Sequence, residues 1–282
     1  MTVAPAALAV RAYAKVNAYL DVVGKRPDGY HDLDTEMVAI SLCDLLHLES
    51  REGSRVELTV EPPDPRLEGA DNLVARAAAL LRRESGSRLG ASILLRKRIP
   101  VQAGLGGGSS DAAAALHGLS RLWRLGLSQE RLMALGAELG SDVPFFVRGA
   151  GRAVCSGRGE IVAPEPRGES RGLVLVSPGI PTPTAAVFRE LRSDDYPVGR
   201  AANALQAPAE RLYPEIRLAH ERLARATGRD FLLSGSGPTL FAWADAADER
   251  RRLARAAKRL GLRCWSARTV ARTYRIERAA RS

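Results

Sequence analysis

A run of four glycines in five positions is the clearest chemical feature of the sequence. Residues Gly104 to Gly108 read Gly-Leu-Gly-Gly-Gly, and Ser109 and Ser110 follow directly. Glycine lets a backbone approach a ligand closely and turn its N–H groups inward, so such a loop before a helix can hold a phosphate. A glycine-rich connection can also be a tight loop without a ligand. The succession of strand, glycine run, two serines and helix favours the phosphate site.

Two familiar phosphate-binding motifs are excluded. The run lacks the Gly-Lys-Ser/Thr ending of a Walker A loop, and it lacks the Gly-x-Gly-x-x-Gly pattern of dinucleotide-binding domains. Ser109 and Ser110 are expected to cap the following helix. The hydroxyl of Ser110 is also a candidate ligand for a metal ion bound to the phosphates. Alone, the loop indicates phosphate binding without identifying a reaction.

Three further segments carry polar residues suited to phosphoryl transfer. Lys15 and Asn17 fall on the same face of an extended strand, so both side chains can enter one cleft. Asp142 precedes an apolar segment and could orient an alcohol and accept its proton. The run Ser234 to Thr239, between two apolar strands, could close over the phosphates or the acceptor. Each segment alone could equally be a surface lysine, a turn aspartate or a hairpin connection.

These residues must be positioned by a mixture of strands and helices. Strands are predicted over residues 8–14, 17–24, 33–42, 45–49, 55–61, 91–99, 172–177, 231–233, 239–244 and 263–274. Helices are predicted over residues 71–81, 128–139, 184–191, 208–226 and 245–260, with one more directly after the glycine run. The glycine- and charge-rich stretch 149–171 suggests a boundary near its start. The sequence therefore predicts an α+β protein of two domains, residues 1–155 and 156–282.

The net charge of +10 points to anionic partners. Arginine supplies almost all of it, because the lysines are only Lys15, Lys25, Lys97 and Lys258. The arginines are spread along helices and are not interleaved with aromatic residues. This pattern argues against nucleic acid and favours phosphorylated small molecules.

The remaining composition is typical of a cytoplasmic enzyme. The cysteines, Cys43, Cys155 and Cys264, form no Cys-x-x-Cys pair, which argues against a disulfide framework or a structural zinc site. No apolar run approaches the roughly 20 residues that span a bilayer. Residues 1–10 lack the basic start of a signal peptide. We therefore expect a cytoplasmic protein without a membrane partner, and leave open whether it is a monomer or a homodimer.

Together these segments resemble the GHMP small-molecule kinases. The resembling stretches are residues 14–17, 26–31, 103–114, 139–146 and 233–241, which span nearly the whole chain. The resemblance implies an N-terminal domain like ribosomal protein S5 domain 2 and a ferredoxin-like C-terminal domain. It also implies a kinase that uses ATP with Mg²⁺ to phosphorylate a small alcohol.

The turn Asp28-Gly29-Tyr30-His31 narrows the resemblance. It is similar to that of the members whose acceptor is a cytidine diphosphate alcohol, phosphorylated on the 2-hydroxyl of its erythritol part in the non-mevalonate pathway to isoprenoid precursors. The alternatives are a kinase of the homoserine or mevalonate type, or a binding protein of the same fold without turnover.

The resemblance also implies roles for single residues. Asp142 is expected to be the catalytic base and Lys15 its charged partner. His31 is expected to hydrogen-bond the edge of the cytosine, while Tyr30 and Phe188 are expected to stack on its two faces. The expected ATP-binding residues are Asn72, Leu73, Lys97, Gly104, Leu105, Gly106, Gly107, Gly108, Ser109 and Ser110. The expected acceptor-binding residues are Asn17, Tyr30, His31, Phe188, Gly235, Ser236 and Gly237. An acidic metal ligand found in several members has no clear equivalent, so Mg²⁺ is expected on the phosphates, Ser110 and water.

Overall fold

The computed structural model describes residues 7–86, 88–166 and 168–278, which form two sheets with helices. The strands are β1 (Ala7–Lys25), β2 (His31–Arg51), β3 (Val56–Glu61), β4 (Gly90–Arg96), β5 (Arg152–Gly157), β6 (Ile161–Pro164), β7 (Gly172–Ser177), β8 (Leu232–Leu233), β9 (Leu240–Trp243), β10 (Arg263–Arg268) and β11 (Tyr274–Arg278). The helices are α1 (Leu73–Ser85), α2 (Gly107–Leu122), α3 (Gln129–Leu139), α4 (Val143–Arg148), α5 (Thr184–Glu190), α6 (Gln206–Leu212), α7 (Pro214–Thr227) and α8 (Ala247–Arg259). Residues 1–6 and 279–282, the outer ends of the two predicted domains, lie outside the described residues.

The first sheet is built on a long antiparallel hairpin of β1 and β2. Its order is β11-β1-β2-β4-β3, and β5 pairs with the first half of β2 and carries β6 at its other edge. Along the first part of β1, Leu8, Val10 and Ala12 are buried at every second position, as expected for a strand with one face on a core. Helices α1 to α4 cover this face and complete the core.

The second sheet has the order β10-β7-β9-β8 with antiparallel pairs throughout. Its connections run β-α-β-β-α-β, which confirms the predicted ferredoxin-like unit. Helices α5 to α8 pack on one face of the sheet. The other face packs against the first sheet, where Leu175 and Phe241 meet Val16 and Ile40. The two units therefore share a continuous apolar interface.

Several predicted elements are wrong in extent. The two strands predicted within each of β1 and β2 are single strands, because bulges between Tyr13 and Ala14, and between Asn17 and Tyr19, absorb the irregularity without ending the pairing. The helix predicted over 208–226 is two helices, since Pro214 starts a new one. The strand predicted over 263–274 ends at Arg268, and β11 returns to the first sheet beside β1.

The stretch 149–171, in which the sequence predicted a domain boundary and no strand, contains β5 and β6. Both strands are short, and Gly151 and Gly157 flank or end β5, so the pattern of a strand is weak there. The boundary predicted after residue 155 falls inside β5. Helix α4, where an apolar segment alone was expected, begins next to Asp142. Within the described ranges, no helix has the length and apolar character needed to cross a membrane.

A histidine held between two carboxylates should make stability depend on pH. His220 of α7 lies 2.9 Å from both Glu210 and Asp230. Its hydrogen bond to Glu210 raises the pKa of the imidazole to about 9, and Asp230 adds to the rise, whereas burial lowers the pKa. Between pH 6.5 and 9 the folded chain keeps a proton that the unfolded chain has lost, so stability is full below this window and falls through it. We expect the wild type to lose on the order of 1–2 kcal/mol of unfolding free energy across it.

Urea unfolding at pH 6 and pH 9 measures this loss in the wild type and in His220→Gln, which should show little of it. Arg225→Gln is the control, because it removes a positive charge from the same helix at a position where its partner is the exposed Glu221. A pH dependence that survives unchanged in His220→Gln would contradict the assignment.

Candidate functional site

A cavity of about 1050 Å³ lies where the two units meet. Its volume is at the upper end of the range for small-ligand sites, which suits two substrates bound together. The expected site residues that line it are Lys15, Asn17, Tyr30, His31, Asn72, Leu73, Lys97, Gly104, Gly106, Gly107, Gly108, Ser109, Asp142, Phe188, Gly235 and Ser236. The fold thus brings together residues that are up to 221 positions apart, from Lys15 to Ser236.

The glycine run forms the turn into α2. Gly106 is the N-cap, with φ of 67°, and no side chain caps the helix, so the expectation that Ser109 and Ser110 do so is wrong. Both serines lie inside the first turn, because the helix already begins at Gly107. The N–H groups of Gly107, Gly108 and Ser109 have no acceptor within the helix and lie at the positive end of its 16 residues, which suits a phosphate, whereas the N–H of Ser110 donates to the carbonyl of Gly106 at 2.8 Å.

Three of the expected ligand-binding residues, Leu105, Ser110 and Gly237, do not line the cavity. The hydroxyl of buried Ser110 donates to the carbonyl of Tyr13 at 2.7 Å. Leu105 is buried in the interface core, and its carbonyl accepts from the backbone N–H of Lys15 at 3.0 Å. Gly237 faces Leu233, since a Cβ on it would lie 2.9 Å from that side chain.

The glycine loop touches the loop of the second unit through the backbone of Gly104. A Cβ on Gly104 would lie 2.0 Å from the carbonyl oxygen of Ser234, so only glycine fits. The carbonyl of Gly104 accepts from the hydroxyl of Ser234 at 2.9 Å and from Lys15 Nζ at 3.2 Å. On the other side of the second loop, Asn203 Nδ2 donates to the carbonyl of Gly235 at 2.8 Å. These bonds fix the two loops against each other at the centre of the cavity.

Lys15 and Asp142 meet beside this junction. Lys15 Nζ lies 3.4 Å from Asp142 Oδ2 and donates to Asn17 Oδ1 at 2.6 Å. The lysine side chain is 4% exposed and the aspartate 30%, so the carboxylate faces the cavity while the ammonium lies behind it. Asn17 is itself held, because its Nδ2 donates to Thr35 Oγ1 at 2.8 Å. The arrangement places a carboxylate that faces the cavity beside a fixed ammonium group.

One end of the cavity is bordered by Asn72 and Lys97. Asn72 is the N-cap of α1 and accepts from the backbone N–H of Val74 at 2.8 Å. Lys97 Nζ lies 2.5 Å from Asp44 and 2.7 Å from Asp111, both of which are buried. Asp44 also accepts from the backbone N–H groups of Arg98 and Ile99. This network holds the segment that leads into the glycine loop.

The charges of this network are mutually dependent. Burial alone would lower the pKa of Lys97, but Asp111 and Asp44 raise it, so the ammonium stays charged. Burial raises the pKa of Asp111 to about 7, against the lowering effect of Lys97 and with a further rise from Asp44. The second oxygen of Asp111 has no hydrogen-bond partner among the described residues. The carboxylates therefore depend on Lys97 for compensation.

The other end of the cavity carries aromatic side chains. The rings of His31 and Phe188 stack with centroids 5.6 Å apart and planes inclined by 26°. Burial and the charge of Lys25 lower the pKa of His31, so its ring is neutral at neutral pH and can both donate and accept a hydrogen bond. Tyr30 is 53% exposed and lies under the guanidinium of Arg158 at 5.0 Å.

The site contains no protein cage for a metal ion. In the ranges the structure describes, no group of three or more histidine, cysteine or acidic side chains could hold one. Hard cations such as Mg²⁺ need few protein ligands when they bind with a nucleotide, because phosphate oxygens and water complete the shell. A Mg²⁺ ion bound together with a nucleotide would therefore not need such a group of side chains.

Sequence reasoning missed several residues of this site. Asp44 interrupts an apolar run, Ser-Leu-Cys-Asp-Leu-Leu, and a carboxylate in such a run is a signal of a buried, paired charge. Asp111 directly follows the two serines of the glycine loop. Thr35, Asn203 and Arg158 gave no comparable signal, because their partners come from distant parts of the chain.

Comparison with known proteins identifies the family. A family model described as the GHMP kinases N terminal domain matches residues 72–150, and one described as GHMP kinases C terminal matches residues 187–261. The chain is 41% identical to the 4-diphosphocytidyl-2-C-methyl-D-erythritol kinase of Pelotomaculum thermopropionicum, over 86% of this chain and 91% of that one.

Solved structures agree with this match. A crystal structure of 4-(cytidine 5'-diphospho)-2C-methyl-D-erythritol kinase superposes with a TM-score of 0.79 at 37% identity, covering 93% of this chain and 98% of that one. Homoserine kinase from Cytophaga hutchinsonii superposes with a TM-score of 0.74 at 16% identity, covering 96% and 97%. The second likeness shows the fold alone.

The two units and the glycine-lined cavity define a GHMP kinase, an enzyme that phosphorylates small molecules. Within that class, the chain belongs to the family of the 4-diphosphocytidyl-2-C-methyl-D-erythritol kinases. The predicted α+β fold of two GHMP domains and the predicted kinase class are confirmed.

Removing Lys97 should destabilise the fold through the carboxylates it compensates. We expect Lys97→Met to lower the unfolding free energy by about 3–5 kcal/mol, because it leaves Asp44 and Asp111 buried without a cation. Adding Asp111→Asn should recover part of this loss, since one of the two like charges is then gone. Urea unfolding at pH 7.5 measures both variants. Lys258→Met on the exposed side of α8 is the control, with an expected change within about 0.5 kcal/mol. Equal stabilities of the Lys97 single and double variants would contradict the coupling.

Proposed function

We propose that this enzyme transfers the γ-phosphate of ATP to the 2-hydroxyl of 4-diphosphocytidyl-2-C-methyl-D-erythritol, giving the 2-phosphate and ADP in the non-mevalonate pathway to isoprenoid precursors. The observation that carries the proposal is the position of the Lys15–Asp142 pair. It lies in one cavity between a glycine loop suited to phosphates and an aromatic pocket suited to a base. Membership of the family, whose named relatives carry this activity in their names, supports the acceptor.

ATP would bind with its phosphates on the N–H groups of Gly106 to Ser109. The nucleotide's other end would lie toward Asn72, Leu73 and Lys97, which border the same cavity. Mg²⁺, bound to the phosphate oxygens and water, would offset the negative charge that gathers during transfer. Ser110 remains a candidate ligand, although its hydroxyl donates to Tyr13 and only its lone pairs are free for a metal.

In the transfer step, the 2-hydroxyl oxygen forms a bond to the γ-phosphorus while the bond to the bridging oxygen of ADP breaks. Asp142 accepts the hydroxyl proton, and Lys15 holds that carboxylate in place. Asn17, fixed by Thr35, holds Lys15 and borders the acceptor. Cys155 does not compete as a nucleophile. Burial and the charge of Asp142 raise the pKa of its thiol to about 12, although the charge of Lys15 lowers it.

The cytosine would bind at His31, Tyr30 and Phe188. A neutral His31 can hydrogen-bond the base edge, and aromatic rings stack on the base faces. The close contact of His31 with Phe188 requires that the base enter beside this ring pair or part it. Gly235 and Ser236 face the acceptor from the second unit, and Thr184 fixes Ser236 by a hydrogen bond at 3.0 Å.

The acceptor is tested by ADP release. We expect the purified enzyme to release ADP from ATP and Mg²⁺ when 4-diphosphocytidyl-2-C-methyl-D-erythritol is added, and not with homoserine or mevalonate. A coupled assay of ADP measures the turnover of each alcohol under the same conditions. Turnover of homoserine or mevalonate in place of the cytidylated alcohol would assign the chain to another GHMP activity. Binding of all ligands without turnover would indicate a protein that keeps the fold but not the reaction.

The base is tested by Asp142→Asn. We expect kcat to fall by about 10²–10⁴-fold, the usual contribution of a positioned proton acceptor, while the KM for ATP changes little. Steady-state kinetics of the cytidylated acceptor measures both constants. Asp248→Asn, which removes an exposed carboxylate on α8, is the matched control and should keep the wild-type rate. A kcat of Asp142→Asn within about threefold of the wild type would remove Asp142 from the role of base.

A further inference from the structure

The turn between β5 and β6 carries an arginine into the cavity. Ser156 pairs with Ile161 at the end of this hairpin, and the backbone N–H of Gly159 donates to the carbonyl of Ser156 at 3.0 Å. Arg158 lies at the tip and lines the cavity together with Asp142 and His31. The hairpin is part of the first sheet through the pairing of β5 with β2, so its tip has a rigid base.

The guanidinium of Arg158 is held from two sides. It stands 5.0 Å from the ring centroid of Tyr30, and its Nε lies 3.3 Å from Glu160 on the same turn. The side chain remains 32% exposed. Arginine carries five N–H donors in a planar fork, so a single bond to Glu160 through Nε leaves donors for a second anion. The guanidinium of Arg158 is therefore held in one orientation and still has N–H donors for a second anion.

The same turn also reaches the proposed reaction centre. A Cβ built on Gly159 would lie 3.8 Å from Asp142 Oδ1, so the residue next to Arg158 lies close to the carboxylate of Asp142. Arg158 thus links two places in the cavity, the neighbourhood of Asp142 and the ring of Tyr30. In a cytidine diphosphate alcohol, the diphosphate is the part that joins the base to the alcohol. The linker must cross the region that Arg158 occupies.

The charges at this end of the cavity favour an anion. The cations that line the cavity include Lys25, Arg158 and Arg189, while the carboxylate of Asp142 is already paired with Lys15. Arg189 directs its Nε to the carbonyl of Ala185 in its own helix. Arg158 is the cation on the side of Asp142, and a guanidinium fork matches two phosphate oxygens.

Resting on the proposed function, we propose that Arg158 is a specificity-determining residue that binds the diphosphate of the acceptor between the base pocket and Asp142. Its contact distinguishes a cytidine diphosphate alcohol from a cytidine or an alcohol alone. The proposal predicts that the loss of Arg158 weakens only those ligands that carry the diphosphate.

The test compares cytidine with cytidine 5'-diphosphate on Arg158→Gln. We expect the Kd for the diphosphate to rise about tenfold or more, because charge-assisted bonds to phosphate are lost, whereas the Kd for cytidine stays within about twofold. Calorimetry measures both, and the KM for ATP should not change. Arg152→Gln is the matched control, since it removes an equal charge from the same strand, where Arg152 pairs with Glu36 outside the cavity. Arg158→Lys should recover part of the diphosphate affinity.

Three outcomes would overturn the inference. An equal loss for cytidine and its diphosphate would mean that Arg158 acts by holding Tyr30. An equal loss in Arg152→Gln would mean a general effect of charge, and no loss in either variant would mean no contact. Turnover of 4-diphosphocytidyl-2-C-methyl-D-erythritol by the wild type is measured separately. An enzyme that binds the diphosphate through Arg158 but does not turn over this alcohol would contradict the proposed function and support the inference.

Discussion

The ammonium group of Lys15 is almost completely buried, and a buried cation must be compensated where it lies. Compensation comes from Asn17, from the carbonyl of Gly104 and from Asp142, which belong to three separate parts of the chain. Bringing these partners together requires the bulged strand β1, the glycine loop and the turn before α4 to meet at one point. The geometry of the cavity follows from this requirement more than from any single element.

The same point joins the two units. The carbonyl of Gly104 accepts from Lys15 and from Ser234, so the loop of the first unit and the loop of the second share one acceptor. Their backbones are in direct contact, which only glycine at position 104 permits. A shift of the second unit would therefore move the partner of Lys15 as well. This coupling places the phosphate loop, the charged pair and the acceptor loop in one rigid arrangement.

The sequence allowed some of this to be predicted. Gly104 to Ser110, Lys15 and Asp142 could be found because their residue types are unusual in their local settings. The partners that fix them could not, since Thr35 and Asn203 become neighbours only when distant strands and loops meet. The strands β5 and β6 were missed because they are short and flanked by glycines, and with them the position of the Arg158 turn. Local patterns therefore identified polar residues that line the cavity, but not the partners that hold them.

The sheets that form the fold are separate from the turns and the short helix that line one part of the cavity, so one fold can serve different alcohols. Homoserine kinase from Cytophaga hutchinsonii shares the fold at 16% identity, so the sheets themselves cannot select the acceptor. Under the proposed function, the glycine loop and the Lys15–Asp142 pair would act on any alcohol that reaches them. Selection would then come from other residues that line the cavity, which lie on the turn of His31, on helix α5 and on the β5–β6 turn. Turns and a short helix can change their side chains without disturbing the buried pair, which makes this end of the cavity the place where specificity can vary.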